Sequence, residues 1–353
     1  MDHIEEITSR RGYILKDLAK AFLQCLGETG PIASGKIIHF TADMVTSGGL
    51  ELWQKLCWDY TYEHIGVASP RIFHFLNKKF RELNEQIAKL TMNVFFNKKE
   101  IQEQLVEIVL ILQDCPKKTK CKMPSVSPDT HENESWLRSV LRTTDKMSVR
   151  KVFQRNSDSE QMLHAGNEMV YAIQECATER ALFWVKWLIE EDAIMKKKHG
   201  AGLTTVERGI LKNKTFVGYY IIAILAEVYK EFAEKGMVRM HEEFQSLLDI
   251  YRSTYTQKRK IDTIIIMVQI LTDVPKWKVP AAPSLVPDQV KLQRAVSQSE
   301  SFFKEVLMLP LPKKLLPATV TGIKKKVKDV SKQDTLEKKL AMIDQVTMNY
   351  YKM

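Results

Sequence analysis

Residues 99–129 read KEIQEQLVEIVLILQDCPKKTKCKMPSVSPD, and residues 258–288 read KRKIDTIIIMVQILTDVPKWKVPAAPSLVPD. At an offset of 159, Pro116, Pro124 and Pro128 of the first stretch meet Pro275, Pro283 and Pro287 of the second. In the same register Val109, Ile111, Leu112 and Asp114 meet Val268, Ile270, Leu271 and Asp273. Lys117, Ser125 and Asp129 meet Lys276, Ser284 and Asp288, and no gap is needed. An apolar run followed by prolines in register points to an internal duplication. Within the first copy Ile101, Leu105, Ile108, Val109 and Leu112 recur at helical steps, so the unit copied is a core helix with a proline hinge behind it.

The rest of the chain agrees with a helical reading. Its 353 residues suit two lobes better than one, and 44% hydrophobic content is too high for disorder. The 12 prolines cluster, which suits long helices with punctuated joints. Alternation of period two is almost absent. An opening helix is predicted over about Ile4 to Leu26 and another from Leu50, with Ser69-Pro70 as the start of a third. Ser157 or Ser159 opens the longest predicted helix, ending near His199-Gly200. Met162, Met169, Ile173, Ala181, Trp184 and Leu188 form its stripe, and Phe183, Val185 and Trp187 carry apolar surface nearly all round it. A helix apolar on every side is buried. Thr204-x-x-Glu207 has the form of a capping box and predicts a further helix start.

The expected fold is all-α: two related multi-helix lobes from an internal duplication, joined by a long buried helix, with a basic C-terminal tail. The expected boundaries are 1–156 for the N-terminal lobe, 157–200 for the connecting helix, 201–312 for the second lobe and 313–353 for the lysine-rich tail.

Local motifs for chemistry fail on their own spacing. Gly30-Pro-Ile-Ala-Ser-Gly35-Lys36 matches a P-loop until the eighth position, where Ile37 stands in place of the Ser or Thr that holds magnesium. The residues before it have helical rather than strand spacing. Cys115 and Cys121 with His131 fit no common zinc spacing, and the second copy replaces the cysteines by Val274 and Pro280 while keeping its prolines. The carboxylates of the long helix lack the Glu-x-x-His step of a di-iron bundle, and His241-Glu-Glu-Phe-Gln lacks a second histidine. No catalytic, cofactor or metal residue is assigned. The five cysteines, odd in number and unevenly spaced, suit buried thiols of a reducing, intracellular compartment, in cytoplasm or nucleus. The start of the chain carries no apolar signal region.

The net charge is +10, and the last 44 residues hold ten lysines against four acidic residues. Lys313, Lys314, Lys324, Lys325, Lys326, Lys328 and Lys332 form a basic cluster suited to phosphate-backbone or acidic-protein contacts, or to a solvated tail. Lys196, Lys197 and Lys198, ahead of Gly200, Gly202 and the Thr204 helix start, are the candidate anion site of the body. The alternative reading is a helix end capped by lysines, terminated by glycine.

Three strings carry a resemblance: Glu63-His-Ile-Gly-Val-Ala-Ser-Pro-Arg-Ile-Phe73, Ala177-Thr-Glu-Arg-Ala-Leu-Phe-Trp-Val-Lys-Trp-Leu-Ile-Glu-Glu-Asp192 and Gly202-Leu-Thr-Thr-Val-Glu-Arg-Gly209. With these the chain resembles uncharacterised all-helical proteins of large eukaryotic DNA viruses. The resemblance implies action in cytoplasm, nucleus or virion and assigns no functional residue. Three function classes follow. The first is a non-enzymatic scaffold that contacts other proteins, in a virus particle or replication complex. The second is an accessory protein held on nucleic acid through its tail, and the third an enzyme whose site is assembled only in three dimensions.

Overall fold

A computed structural model describes residues 7–132, 134–273, 285–286 and 288–317. In chain order the helices are α1 (Leu15–Gly27), α2 (Pro31–Thr46), α3 (Leu50–Tyr60), α4 (Arg71–Ile87), α5 (Met92–Phe96) and α6 (Lys99–Asp114). There follow α7 (Asp129–Glu132), α8 (Glu134–Val140), α9 (Met147–Arg150), α10 (Glu160–Gln174) and α11 (Thr178–His199). The last are α12 (Gly218–Glu234), α13 (His241–Ser253), α14 (Gln257–Thr272), α15 (Gln289–Val296) and α16 (Ser299–Leu307). A π-helical turn over Thr61–Ile65 and a 3₁₀ turn over Gly66–Ala68 join α3 to α4. Among the described residues the extended pairing is limited to isolated bridges, Thr8 with Ile14 and Asp158 with Thr204. The fold is all-α, as expected. No helix among the described residues is long and apolar enough to cross a membrane.

The described residues form two compact units, each gathered from separate stretches of chain: those within 7–61, 75–115 and 285–317 supply the first, those within 62–74 and 116–273 the second. This division differs from the sequential one drawn above, because helix packing collects segments that are distant along the chain. The second half of the tail cluster, Lys324, Lys325, Lys326, Lys328 and Lys332, lies outside the described residues.

In the first unit α6 is the central helix, packed against α1, α2, α5, α15 and α16. The five predicted core positions are buried, and so are Val106, Leu110 and Ile111 on the remaining faces. Burying each such side chain is worth roughly 1.5–3 kcal/mol, so apolar contact dominates here. The polar groups of this core serve helix ends. The last carbonyls of α1 have no intrahelical partner. Gln113 of α6 donates to Cys25 O at 2.9 Å and accepts from Ser34 Oγ at 2.8 Å, while Tyr60 Oη donates to Leu26 O at 2.9 Å.

The second unit is organised the same way around α14, which packs against α10, α11, α12, α13 and the 3₁₀ turn. Every residue from Asp262 to Thr272 is buried. Gly66, at φ 43, lets that turn close on α14: a Cβ there would lie 3.0 Å from Ile266 Cδ1.

Four local expectations are corrected. The predicted helix over 157–200 is two helices, α10 and α11, which pack against each other. Cys176 adopts φ 56, and Ala177 N–H reaches back to Ala172 O, a helix-ending bond pattern usually built on glycine. Neither glycine nor proline marks the break, so the sequence conceals it. The opening helix starts at Leu15, because residues 8–14 fold into a turn around Gly12, at φ 83, with the Ser9 side chain accepting from Tyr13 N. No helix forms at Thr204. Its hydroxyl donates to Asp158 Oδ1 at 2.5 Å, so the residue is held in the bridge to Asp158 instead of capping. Gly30-Pro31 begins α2 with proline at its first position, so the glycine-lysine stretch is helical rather than a loop.

Two buried tyrosines separate hydrogen bonding from packing. Tyr220 Oη donates to Met162 O at 3.0 Å, whereas the buried Tyr251 Oη has no hydrogen-bond partner among the described residues. Removing a satisfied hydroxyl orphans its acceptor; removing an unsatisfied one does not. In urea unfolding, Tyr220→Phe is expected to lose about 1 kcal/mol and Tyr251→Phe to lose nothing or gain stability.

Candidate functional site

The residues nominated from sequence divide on inspection. Lys196 in the last turn of α11 is bonded to Asp192 Oδ2 at 2.7 Å, and Asp192 Oδ1 accepts from Leu203 N at 3.0 Å. Gly202 makes this closure possible, since a Cβ there would lie 2.2 Å from Asp192 Oδ1. Lys197 and Lys198 are exposed beside the helix C-terminus. With no helix starting at Thr204, the backbone amides that would have completed an anion site are not arrayed. The three lysines instead suit the negative end of the α11 dipole. Lys313 and Lys314 are exposed just beyond α16. The next two residues are anchored: Leu316 N donates to Ser47 O at 3.1 Å, and Leu315 and Leu316 press on Gly48 and Gly49.

Four other constellations bring reactive side chains together, and local sequence announces none of them. The first resembles a serine-histidine-aspartate set. Ser9 Oγ, however, donates to Asp43 Oδ2 at 2.5 Å, and Arg11 N donates to Asp43 Oδ1 at 3.3 Å. His39 faces Tyr13 Oη at 3.2 Å. A nucleophilic serine needs the imidazole as its base, and here the carboxylate takes that place. Burial pushes the Asp43 carboxyl above the usual range, against the hydrogen bond from Ser9. Burial, with Arg11 nearby, lowers His39.

The second lies where residues 116–123 cross the π-helical turn and α14. Lys118 N and Lys120 N donate to His64 O and Glu63 O, so the wide helical turn hands its outward carbonyls to the passing strap. Lys120 Nζ sits between Glu63 Oε1 at 2.8 Å and Asp262 Oδ1 at 2.7 Å. Burial pulls the Lys120 ammonium down, but the hydrogen bonds it donates to Asp262 and Glu63 outweigh it and the net shift is upward. The Lys120 hydrogen bond holds Glu63 below the ordinary carboxylate range. Gln269 Nε2 donates to Cys121 Sγ at 2.8 Å, and Lys118 faces Asp273 at 4.0 Å.

The third is Lys260 of α14, which is buried, donates to Tyr219 Oη and lies 4.3 Å from the centre of that ring and 5.4 Å from that of Tyr251. Aromatic faces satisfy an ammonium that water does not reach. The fourth is Asp158, whose carboxylate takes Gln154 N, the Thr204 hydroxyl and the Arg208 guanidinium together. In each case the bonds run to neighbouring chain segments, and their product is attachment.

Of the residues weighed as a zinc set, Cys115 is buried at the end of α6, Cys121 faces Gln269, and His131 is bonded to Glu191. Among the described residues no group of three or more His, Cys, Asp or Glu side chains is placed to hold a metal ion. Between α12 and α13 runs a groove of about 220 Å³, floored by Tyr229 and Phe244 with ring centres 4.2 Å apart. Sites for drug-sized ligands run from about 300 Å³ upward, so the groove is small for one. Compared with protein-family models, curated proteins and solved structures, the chain matches none.

Two outcomes follow from these pairs. Lys120→Met strands Asp262, whose side chain is 9% exposed, and is expected to cost on the order of 2 kcal/mol; adding Asp262→Leu should recover most of it, as a double-mutant cycle in urea would show. Asp43 contributes stability below its unfolded value near pH 4, and that contribution is lost as pH rises through its raised folded value. Asp43→Asn removes this slope, so its stability relative to the parent should climb between acid and neutral pH.

Proposed function

We propose that this chain is a non-enzymatic helical scaffold, a protein-interaction component of the kind found in a virus particle or replication complex. One observation carries the reading: the side chains best suited to chemistry are bonded to one another in ways that fasten chain segments. Ser9 is held by Asp43, Lys120 by Glu63 and Asp262, and Thr204 and Arg208 by Asp158. We further infer that the units descend from one duplicated helix-plus-hinge module. The bounds of α6 and α14 correspond within one residue at the offset read from sequence, and each helix is central to its own unit.

A second reading rests on the tail. Leu315 and Leu316 fix its root on the first unit, directly after the exposed Lys313 and Lys314. Lysines in this setting favour an accessory protein attached to phosphate backbone without base readout.

Co-purification of the full chain and of a chain ending at Pro317, with nuclease and in high salt, separates the two. The scaffold reading expects the same stoichiometric protein partners with both chains. Loss of every partner on nuclease treatment, or on removal of the tail, contradicts it and favours attachment to nucleic acid.

A further inference from the structure

The cluster left over lies between α7 and α11. The His131 side chain is 4% exposed and Glu191 is 5% exposed, and Nδ1 of His131 is 2.6 Å from Glu191 Oε2. The imidazole stacks on Trp187, with ring centres 5.4 Å apart and planes 14° from parallel. Nε2 is buried without a hydrogen-bond partner and points toward Glu190 Oε2 at 3.6 Å. Glu190 is 34% exposed, and its other oxygen accepts from Lys186 Nζ at 2.8 Å.

This arrangement has a definite electrostatic demand. Lys186 balances Glu190, and among the described residues only the imidazole faces the buried Glu191 carboxylate. A buried carboxylate needs positive charge nearby. We propose that His131 Nε2 and Glu190 Oε2 bind a divalent first-row transition ion, with Glu191 as the orienting partner of the imidazole.

The geometry suits it. An ion about 2.1 Å from each donor spans their separation at an angle of about 120° without rebuilding either side chain. A metal-binding imidazole typically gives its other N–H to a carboxylate, which fixes the tautomer and ring plane; Glu191 occupies that position. Imidazole with a carboxylate favours zinc, cobalt, nickel or copper over magnesium or calcium. With two protein donors the site is exchangeable, unlike the closed four-ligand sites that hold a fold together. A bound ion ties α7 to α11 and brings positive charge to the side of the imidazole opposite Glu191.

Cobalt and zinc are the probes. Trp187 against the imidazole reports cobalt binding by fluorescence quenching in the full chain, and calorimetry with zinc gives the stoichiometry. The chain has eight histidines, so the difference between variants is what counts. One saturable site is expected, lost in His131→Gln and weakened at least tenfold in Glu190→Gln. Glu191→Gln, which keeps both donors, is expected to weaken it 10–100-fold. Glu190→Gln alters a partly exposed side chain and keeps the test decisive should His131→Gln fail to fold. An unchanged titration in Glu190→Gln, or absence of a saturable site in the parent, overturns the proposal.

Discussion

A helix that is apolar on nearly every side has one stable place, surrounded by other helices. The second unit meets this condition around α14, where every residue from Asp262 to Thr272 is shielded. The first meets it around α6, whose Val106, Leu110 and Ile111 are buried together with the face that carries Ile101, Leu105 and Leu112. α1, α2, α5, α15 and α16 cover the first, and α10, α11, α12 and α13 cover the second. Since an α-helix satisfies its own backbone except at the ends, what such a core must still provide is partners for helix termini and for connectors.

The buried polar side chains answer that need one by one. Gln113 and Tyr60 take the last carbonyls of α1 and the first turn of α2. Glu168 of α10, almost fully buried, accepts from the backbone of Arg142 and Thr143 and so holds the loop after α8. Asp192 and Asp158 hold the irregular segment that follows α11. A buried carboxylate is costly unless it is bonded, and these are bonded to backbone N–H groups or cations. Their arrangement explains how these titratable groups are accommodated in the interior.

How much of this was legible depended on whether a feature was written locally. The strings ending at Asp114 and Asp273 marked these helices, because each holds five apolar side chains in a row, Ile108 to Leu112 and Ile264 to Val268, with further apolar residues at helical steps on either side. The α10–α11 corner was hidden: Cys176 takes a left-handed conformation with no glycine to announce it, and both flanking helices carry compatible stripes. Thr204 misled in the other direction. Its spacing to Glu207 fits a cap, yet Asp158, 46 residues earlier, captures the hydroxyl. The site residues were missed for a similar reason. Glu63, Lys120 and Asp262 are joined across as many as 142 residues of chain, and His131 meets Glu191 across 60. Periodicity cannot bring such partners together; only the packing does.

The central claim is that each unit is built outward from one enclosed helix. Amide hydrogen exchange on the intact chain, resolved to peptides, tests it most directly, because exchange ranks segments by the free energy needed to open them. The account predicts that amides within 103–112 and 263–271 exchange last in their respective units, behind α1, α13, α15 and α16. If either stretch exchanges as fast as those peripheral helices, the unit concerned is not organised around it and the account fails.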